Sequence, residues 1–304
     1  MHKKIENYIK KIKELKIQGA RKVAKAALDC FQIQVTTSKA KTSEELYSEL
    51  VELADLLSET RPTEPMLRNI LRQILSNYNS KLDIRAAKKS FLESINKFFE
   101  INERNLQKIA HFGSQLISDD MTVLTHCHSN TVMAILKNAR NLDKKFKVIC
   151  TETRPVGQGY ITAEELSSHG IATTLIVDSA ISMYAKKVDI CFVGADAITV
   201  TGDLINKIGT RLVAEICKVY SIPFYSATEL YKYDPITRFG IIEKIEFRDK
   251  KEIIGNKKVK YNVENPAFDV TNADYIKAYI TEKGVFSPQL LMLAANTNII
   301  EDPF

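Results

Sequence analysis

The chain has 304 residues, 45% of them hydrophobic and 26% charged, the make-up of an ordinary globular protein with room for one large domain or two modest ones. Its 43 basic and 37 acidic residues leave a net charge of +6 spread along the chain, which suits small anionic ligands; with no Trp and no basic stripe interleaved with aromatics, direct nucleic-acid binding is not expected. No apolar run approaches the roughly 20 residues of a membrane span, and no secretory core follows the Met-His-Lys-Lys-Ile-Glu start, so no membrane contact and a cytoplasmic location are expected.

From Ile5 to about Leu116 nearly everything reads as helix, because Gly and Pro are almost absent and apolar residues recur at three and four. Examples are Ile9, Ile12 and Leu15, then Val23, Ala26, Ala27, Cys30 and Phe31, then Leu46, Leu50, Leu53 and Leu56. Thr42-Ser43-Glu44-Glu45 is a helix start: Thr42 caps, and Glu45 reaches back to the cap's own amide. Two breaks interrupt this half. At Gln18-Gly19-Ala20-Arg21 free backbone amides beside an arginine can hold a phosphate, although a plain helix junction is the commoner meaning of such a glycine. At Thr60-Arg61-Pro62-Thr63-Glu64-Pro65 the prolines end one helix, start the next and restrict the loop that carries Arg61.

Met121 to Ser129 is a short apolar run that stops at one cysteine between two histidines. It reads as a strand delivering Cys127 to its carboxyl end, where open α/β sheets keep their chemistry. Val132, Met133, Ile135 and Leu136 then mark a helix packed on the sheet, capped by Ser129 or Asn130. A thiol just before a helix amino terminus feels the positive end of its dipole, so a lowered pKa and an acid or base role are expected for Cys127. A lone cysteine at a strand end is more often a small buried hydrophobe. The five cysteines, at 30, 127, 150, 191 and 217, are odd in number and lack paired ligand spacing, so reduced thiols are expected, with no disulfide framework and no metal site.

Beyond Asp120, short β-rich runs alternate with helical ones. Lys147–Thr151, Thr173–Val177, Ile190–Val193 and Pro223–Ser226 read as strands of a parallel sheet buried on both faces, with helices starting near Ser129, Thr162, Ser179 and Lys207. Four polar loops fall at strand ends. Ser129, Asn130 and Thr131 offer hydroxyls and helix-end amides to a phosphate. In Thr151 to Gly159, Arg154 can clamp an anion and Gln158 a hydroxyl. Gly194-Ala195-Asp196 sets a carboxylate directly after an apolar strand, where an aspartate is a turn residue at least as often as a catalyst. In Gly202 to Thr210, Asn206 and Lys207 open a helix that can receive a phosphate.

Together, Thr-His-Cys-His-Ser at 125–129, Glu-Thr-Arg-Pro at 152–155 with Gln158-Gly159 and Thr162-Ala163, Gly-Ala-Asp at 194–196, Asn-Lys-Ile-Gly-Thr at 206–210 and Asn-Pro-Ala-Phe-Asp-Val at 265–270 resemble one superfamily. It comprises the sugar-1-phosphate aldose-ketose isomerases and the regulatory subunits of translation initiation factor 2B. The resemblance covers about residues 15 to 290 and is nearest to the archaeal ribose-1,5-bisphosphate isomerases, whose catalytic cysteine and aspartate match Cys127 and Asp196. The all-helical start argues against the methylthioribose-1-phosphate branch. The alternative is a factor 2B-like subunit that binds a partner protein and a sugar phosphate or nucleotide without turnover.

The resemblance implies an α/β protein with a helical amino-terminal domain over residues 1–118, then a Rossmann-like, mostly parallel sheet domain over 119–304. It implies substrate contacts from Gly19, Ala20, Arg21, Arg61, Ser129, Asn130, Thr131, Arg154, Gln158, Asn206, Lys207 and Lys232. One departure is that the isomerases carry Arg-Gly-Ala-Gly in the first loop, where this chain has Gln18-Gly19-Ala20-Arg21, the arginine having moved across the glycine. The implied reaction converts ribose 1,5-bisphosphate to ribulose 1,5-bisphosphate in AMP salvage, without a cofactor, in a homo-oligomer (a dimer or a trimer of dimers). Its anomeric oxygen is blocked by phosphate, so the sugar cannot open to an aldehyde. Cys127 thiolate is expected to remove the C2 proton while protonated Asp196 protonates the departing ring oxygen. This asks for a raised aspartate pKa and a lowered cysteine pKa.

Overall fold

The computed structural model describes residues 2–17, 19–61, 64–239 and 245–300, the side chains of 296–300 excepted. Gln18 of the first interhelical loop and Pro62 and Thr63 of the second lie outside them. Five helices come first: α1 (Lys3–Lys13), α2 (Ala20–Thr37), α3 (Ser43–Ser58), α4 (Pro65–Ser76) and α5 (Ile84–Ser114). Two compact units divide within α5, between Arg104 and Asn105.

In the first unit the three-and-four spacing becomes a buried seam. Val23, Ala27 and Phe31 of α2, Leu46, Leu50, Leu53 and Leu57 of α3, and Leu67, Ile70 and Ile74 of α4 are all buried, each large side chain stabilising by about 1.5–3 kcal/mol. The α3 seam continues at Leu57, four residues after Leu53, and Leu56 faces solvent, 44% exposed. The Thr42 hydroxyl caps α3 by accepting the Glu45 amide at 3.2 Å. The Glu45 carboxylate reaches one residue further than expected, accepting the Lys41 amide at 2.7 Å in place of that of Thr42.

The second unit alternates strand and helix: β1 (Thr122–His126), α6 (Asn130–Asn141), β2 (Lys147–Thr151), α7 (Gln158–Ser168), β3 (Ala172–Ile176), α8 (Ile181–Tyr184), β4 (Ile190–Val193), β5 (Ala197–Ile198), β6 (Leu204–Lys207), α9 (Thr210–Val219), β7 (Phe224–Ala227), α10 (Lys251–Ile254), β8 (Phe268–Thr271), β9 (Ala278–Thr281), β10 (Gly284–Phe286) and α11 (Pro288–Ile300). Seven strands form one sheet in the order β10-β9-β7-β4-β1-β2-β3, parallel except for β10. Successive residues of a strand point to opposite faces, and here each face has its own core. Val123, Val148, Ile190 and Phe192 join α6 side chains on one side. Leu124, Ile149, Cys191 and Val193 join Val213, Ala214 and Cys217 of α9 on the other. β3 departs from the expected two-sided burial, because it is the edge strand and among its residues only Ile176 is buried.

β5, β6 and β8 make a small antiparallel sheet. It corrects the expectation that Asn206 and Lys207 open a helix: they end β6, paired with Asp269 and Phe268, and α9 begins only at Thr210. The pairing partner lies some sixty residues away, so no local pattern signals it. α7 likewise starts at Gln158, four residues before the expected Thr162.

Candidate active site

β1 and β4 are neighbours, with Val193 opposite His126. From β1 the chain proceeds through β2 and β3 to one side, and through β4, β7 and β9 to the other. The gap between β1 and β4 is therefore the topological switch point, where ligands of open α/β sheets bind at the strand carboxyl ends. Cys127 follows β1 directly and Asp196 stands three residues beyond β4, on strands about 4.8 Å apart.

Cys127 has a left-handed backbone, φ 68°, which costs a non-glycine residue roughly 1–2 kcal/mol. Two hydrogen bonds hold it there. Its N–H donates to Thr153 Oγ1 at 2.9 Å and its carbonyl accepts the Thr162 hydroxyl at 3.0 Å. The thiol donates to Gln158 Oε1 at 3.5 Å. Glycine is required at 194, where a Cβ would sit 2.6 Å from Ser129 Oγ, so the end of β4 can approach the start of α6.

His126, beside the thiol, is a neutral crossbar. A carbonyl can only accept, so Nε2–H donates to Ile208 O at 2.9 Å, and Nδ1 accepts the Thr151 hydroxyl at 2.6 Å. Burial keeps its pKa below the usual histidine value. Asp178, at the end of β3, accepts the amides of Thr153 (2.8 Å) and Arg154 (2.7 Å) and so fixes the loop that meets Cys127. His128 bonds Thr162 at 3.1 Å, and its ring lies 3.7 Å from Glu165.

The expected lowering of the thiol pKa is reversed. Burial pushes Cys127 up to about 12; the Lys207 ammonium and the His128 amide pull it down, and the carboxylates of Asp196 and Asp178 push it up further. Ser129 caps α6 without a side-chain bond to the helix amides, and this dipole end does not outweigh desolvation of a thiolate. Alkylation of Cys127 by iodoacetamide, the other four cysteines being buried, is expected to accelerate about tenfold per pH unit through pH 10, with no plateau near the ordinary thiol value of about 8.5. Lys207→Met is expected to slow it at every pH; peptide mass spectrometry follows both, and a plateau below pH 9 would contradict the raised value.

The remaining candidates separate into groups. Thr131 is buried and its hydroxyl donates to Ala227 O at 2.7 Å, so Ser129 Oγ donates to Thr131 Oγ1 at 2.8 Å; Asn130 is exposed. Arg154 is exposed and Gln158 opens α7. Asn206 is buried, its amide donating to Thr210 Oγ1 at 3.0 Å, and Lys207 Nζ lies 5.2 Å from the Phe268 ring centre. Lys232 is buried, donating to the Ala195 carbonyl at 2.7 Å with Glu229 at 3.7 Å, so it touches the backbone just before Asp196. In the other unit Gly19 precedes α2 with φ 86°, and Ala20 begins that helix. Arg21 pairs with Glu103 at 2.9 Å, and the buried Arg61 with Glu64 at 2.7 Å. Both guanidinium groups already hold a carboxylate, with which a phosphate must compete.

Among residues the sequence reading omits, Asp178 has a signal. It follows Leu175-Ile176-Val177 as Asp196 follows β4, a carboxylate directly after an apolar strand. Asp269 falls within the Asn265–Val270 motif of the resemblance but is given no role there, because it lies inside a short strand rather than at the end of one.

The pattern of the Initiation factor 2 subunit family matches residues 16–288. The ribose 1,5-bisphosphate isomerase of Thermococcus kodakarensis is 40% identical over 295 residues, covering 94% of this chain and 92% of that protein. That of Methanocaldococcus jannaschii is 38% identical over 287 residues, again 94% of this chain and 92% of the relative. The solved translation initiation factor eIF-2B of Pyrococcus horikoshii superposes with a TM-score of 0.82 at 29% identity, covering 95% of this chain and 98% of that one. The chain belongs to the initiation factor 2 subunit family.

Proposed function

We propose that this protein is a ribose-1,5-bisphosphate isomerase that forms ribulose 1,5-bisphosphate, acting in AMP salvage as a homo-oligomer. The observation that carries the reading is the pairing of Cys127 and Asp196 at neighbouring strand ends of the switch point, together with the names of relatives about 40% identical along nearly the whole chain. A subunit that only binds has no need of a thiol and a carboxylate so disposed.

The raised thiol pKa shapes the mechanism. Burial holds Cys127 as a thiol, and Asp196 lies near enough for its charge to act on the sulfur. Transfer of that one proton from sulfur to carboxylate yields both forms the reaction needs, with no net proton uptake. The thiolate then takes the C2 proton, the C2–H electrons form the C1–C2 double bond, and the C1–O4 bond breaks toward the ring oxygen, which takes the proton of Asp196. The thiol returns its proton to C1 of the enol phosphate while Asp196 takes the proton of the C2 hydroxyl, leaving the ketone, the thiolate and the protonated aspartate, and return of one proton from Asp196 to sulfur restores the resting pair. No electrons are exchanged with a cofactor. Lys207, Arg154 and the amides at the start of α6 are the proposed phosphate contacts in this unit, and Gln158 addresses a hydroxyl.

The test is an assay of purified protein with ribose 1,5-bisphosphate, following ribulose 1,5-bisphosphate with and without AMP. Turnover supports the reading. Absence of turnover in both, with co-purification of an initiation factor, would replace it by the factor 2B-like alternative.

A further inference from the structure

The amino end of α9 offers amides of the kind that hold phosphates, but a side chain of the protein already fills it. Asp269 of β8 accepts the Gly209 amide at 2.7 Å and the Arg211 amide at 3.1 and 3.2 Å through its two oxygens. The same segment grips the preceding turn twice more. Ala267 O accepts the Ile208 amide at 3.0 Å, and the Phe268 ring lies under the Lys207 ammonium. The turn so held carries two groups of the thiol site: Ile208 O, which orients the ring of His126, and Lys207, whose charge acts on both Cys127 and His126. A Cβ at Gly209 would stand 3.0 Å from the His126 ring, so the turn lies directly against it.

We propose that Asp269 is a positioning residue of this site, its carboxylate fixing the 207–209 turn so that Lys207 and the His126 ring keep their places beside Cys127. The inference rests on the isomerase reading only for its kinetic consequence. It also means that a substrate phosphate is not seated on the α9 amides, which leaves Lys207 itself as the cation of this loop. The groups around the carboxylate are Arg211 and Glu215 of α9, paired with each other at 2.9 Å, Lys207 at the end of β6, and His126 beyond Ile208. Burial raises the Asp269 pKa to about 6, against the pull of the two amides and of Arg211. Below that pH the protonated carboxyl accepts amide hydrogens poorly, and the turn loosens.

The experiment compares wild type, Asp269→Asn and Asp269→Ala by two readouts, kcat/KM for ribose 1,5-bisphosphate from pH 5 to 9 and the ring-nitrogen NMR signals of His126 in ¹⁵N-histidine-labelled protein. For Asp269→Ala we expect a loss in kcat/KM of about tenfold to a hundredfold and a displaced His126 Nε2–H signal. Asp269→Asn keeps one acceptor oxygen, so we expect it to restore most of the activity at pH 8 and to lose the wild type's decline below about pH 6. Unchanged His126 signals in a folded alanine variant, or an acid decline and His126 titration identical in wild type and asparagine variant, would overturn the proposal. If the alanine variant does not fold, the asparagine comparison decides alone. If wild type itself shows no turnover the isomerase reading fails, and the His126 signals still decide the role of Asp269.

Discussion

Cys127→Ser is expected to lower kcat by at least about 10³-fold, the upper range of what one positioned acid-base group contributes, which is about 4 kcal/mol of transition-state stabilisation. The cause is the loss of the base itself: a serine hydroxyl is far harder to ionise than even a thiol held near 12. The change is otherwise small. The bonds that hold residue 127, from its N–H to Thr153 and from Thr162 to its carbonyl, are to the backbone and survive. The serine hydroxyl can donate to Gln158 as the thiol does, so substrate affinity by calorimetry should stay close to that of wild type. Loss of kcat with retained affinity separates a reacting group from a structural cysteine. A serine variant with wild-type turnover would show that the thiol takes no part.

How far the site is legible from the chain follows from which contacts are local. β1, β2 and β4 can be read because burial on both faces gives each a short apolar centre, and candidate site residues are then sought just after it. That rule finds Cys127 and Asp196, and applied evenly it finds Asp178. It finds neither Asp269 nor the true place of Asn206 and Lys207, because these are set by pairing between β6 and β8, far apart in sequence. It also misjudges the thiol. The helix end is visible in the sequence, whereas the desolvation that outweighs it comes from packing that no local pattern reports. β9 and β10 are missed for a related reason: Ala278–Thr281 is short and gains strand character by pairing beside β7. The phosphate expectation at Gly19 to Arg21 rests on a free helix end with an arginine beside it, and Glu103, on another helix, already engages that arginine.

Asp196→Asn is expected to move two readouts of the same site in opposite directions. Turnover should fall by about 10²–10⁴-fold, because an amide has no acidic proton for the ring oxygen and cannot take up the proton of the C2 hydroxyl. The reactivity of Cys127 toward iodoacetamide at pH 8 should rise, since the Asp196 carboxylate is among the charges that push the thiol pKa up. The fold of the turn should not change, because the bond that sets it runs from the Asp196 amide to Ile205 O at 2.9 Å and does not involve the side chain. Slower catalysis by a more easily ionised thiol is hard to explain unless residue 196 supplies a proton that the thiolate cannot replace. A fall in both readouts would mean that asparagine has disturbed the strand end, and wild-type turnover would remove Asp196 from the mechanism. Substrate deuterated at C2 adds a check on the other half of the scheme. If one thiol carries the proton from C2 to C1, part of the deuterium must reappear at C1 of the product in wild type, and complete washout would require the thiol to exchange with water before it returns its proton.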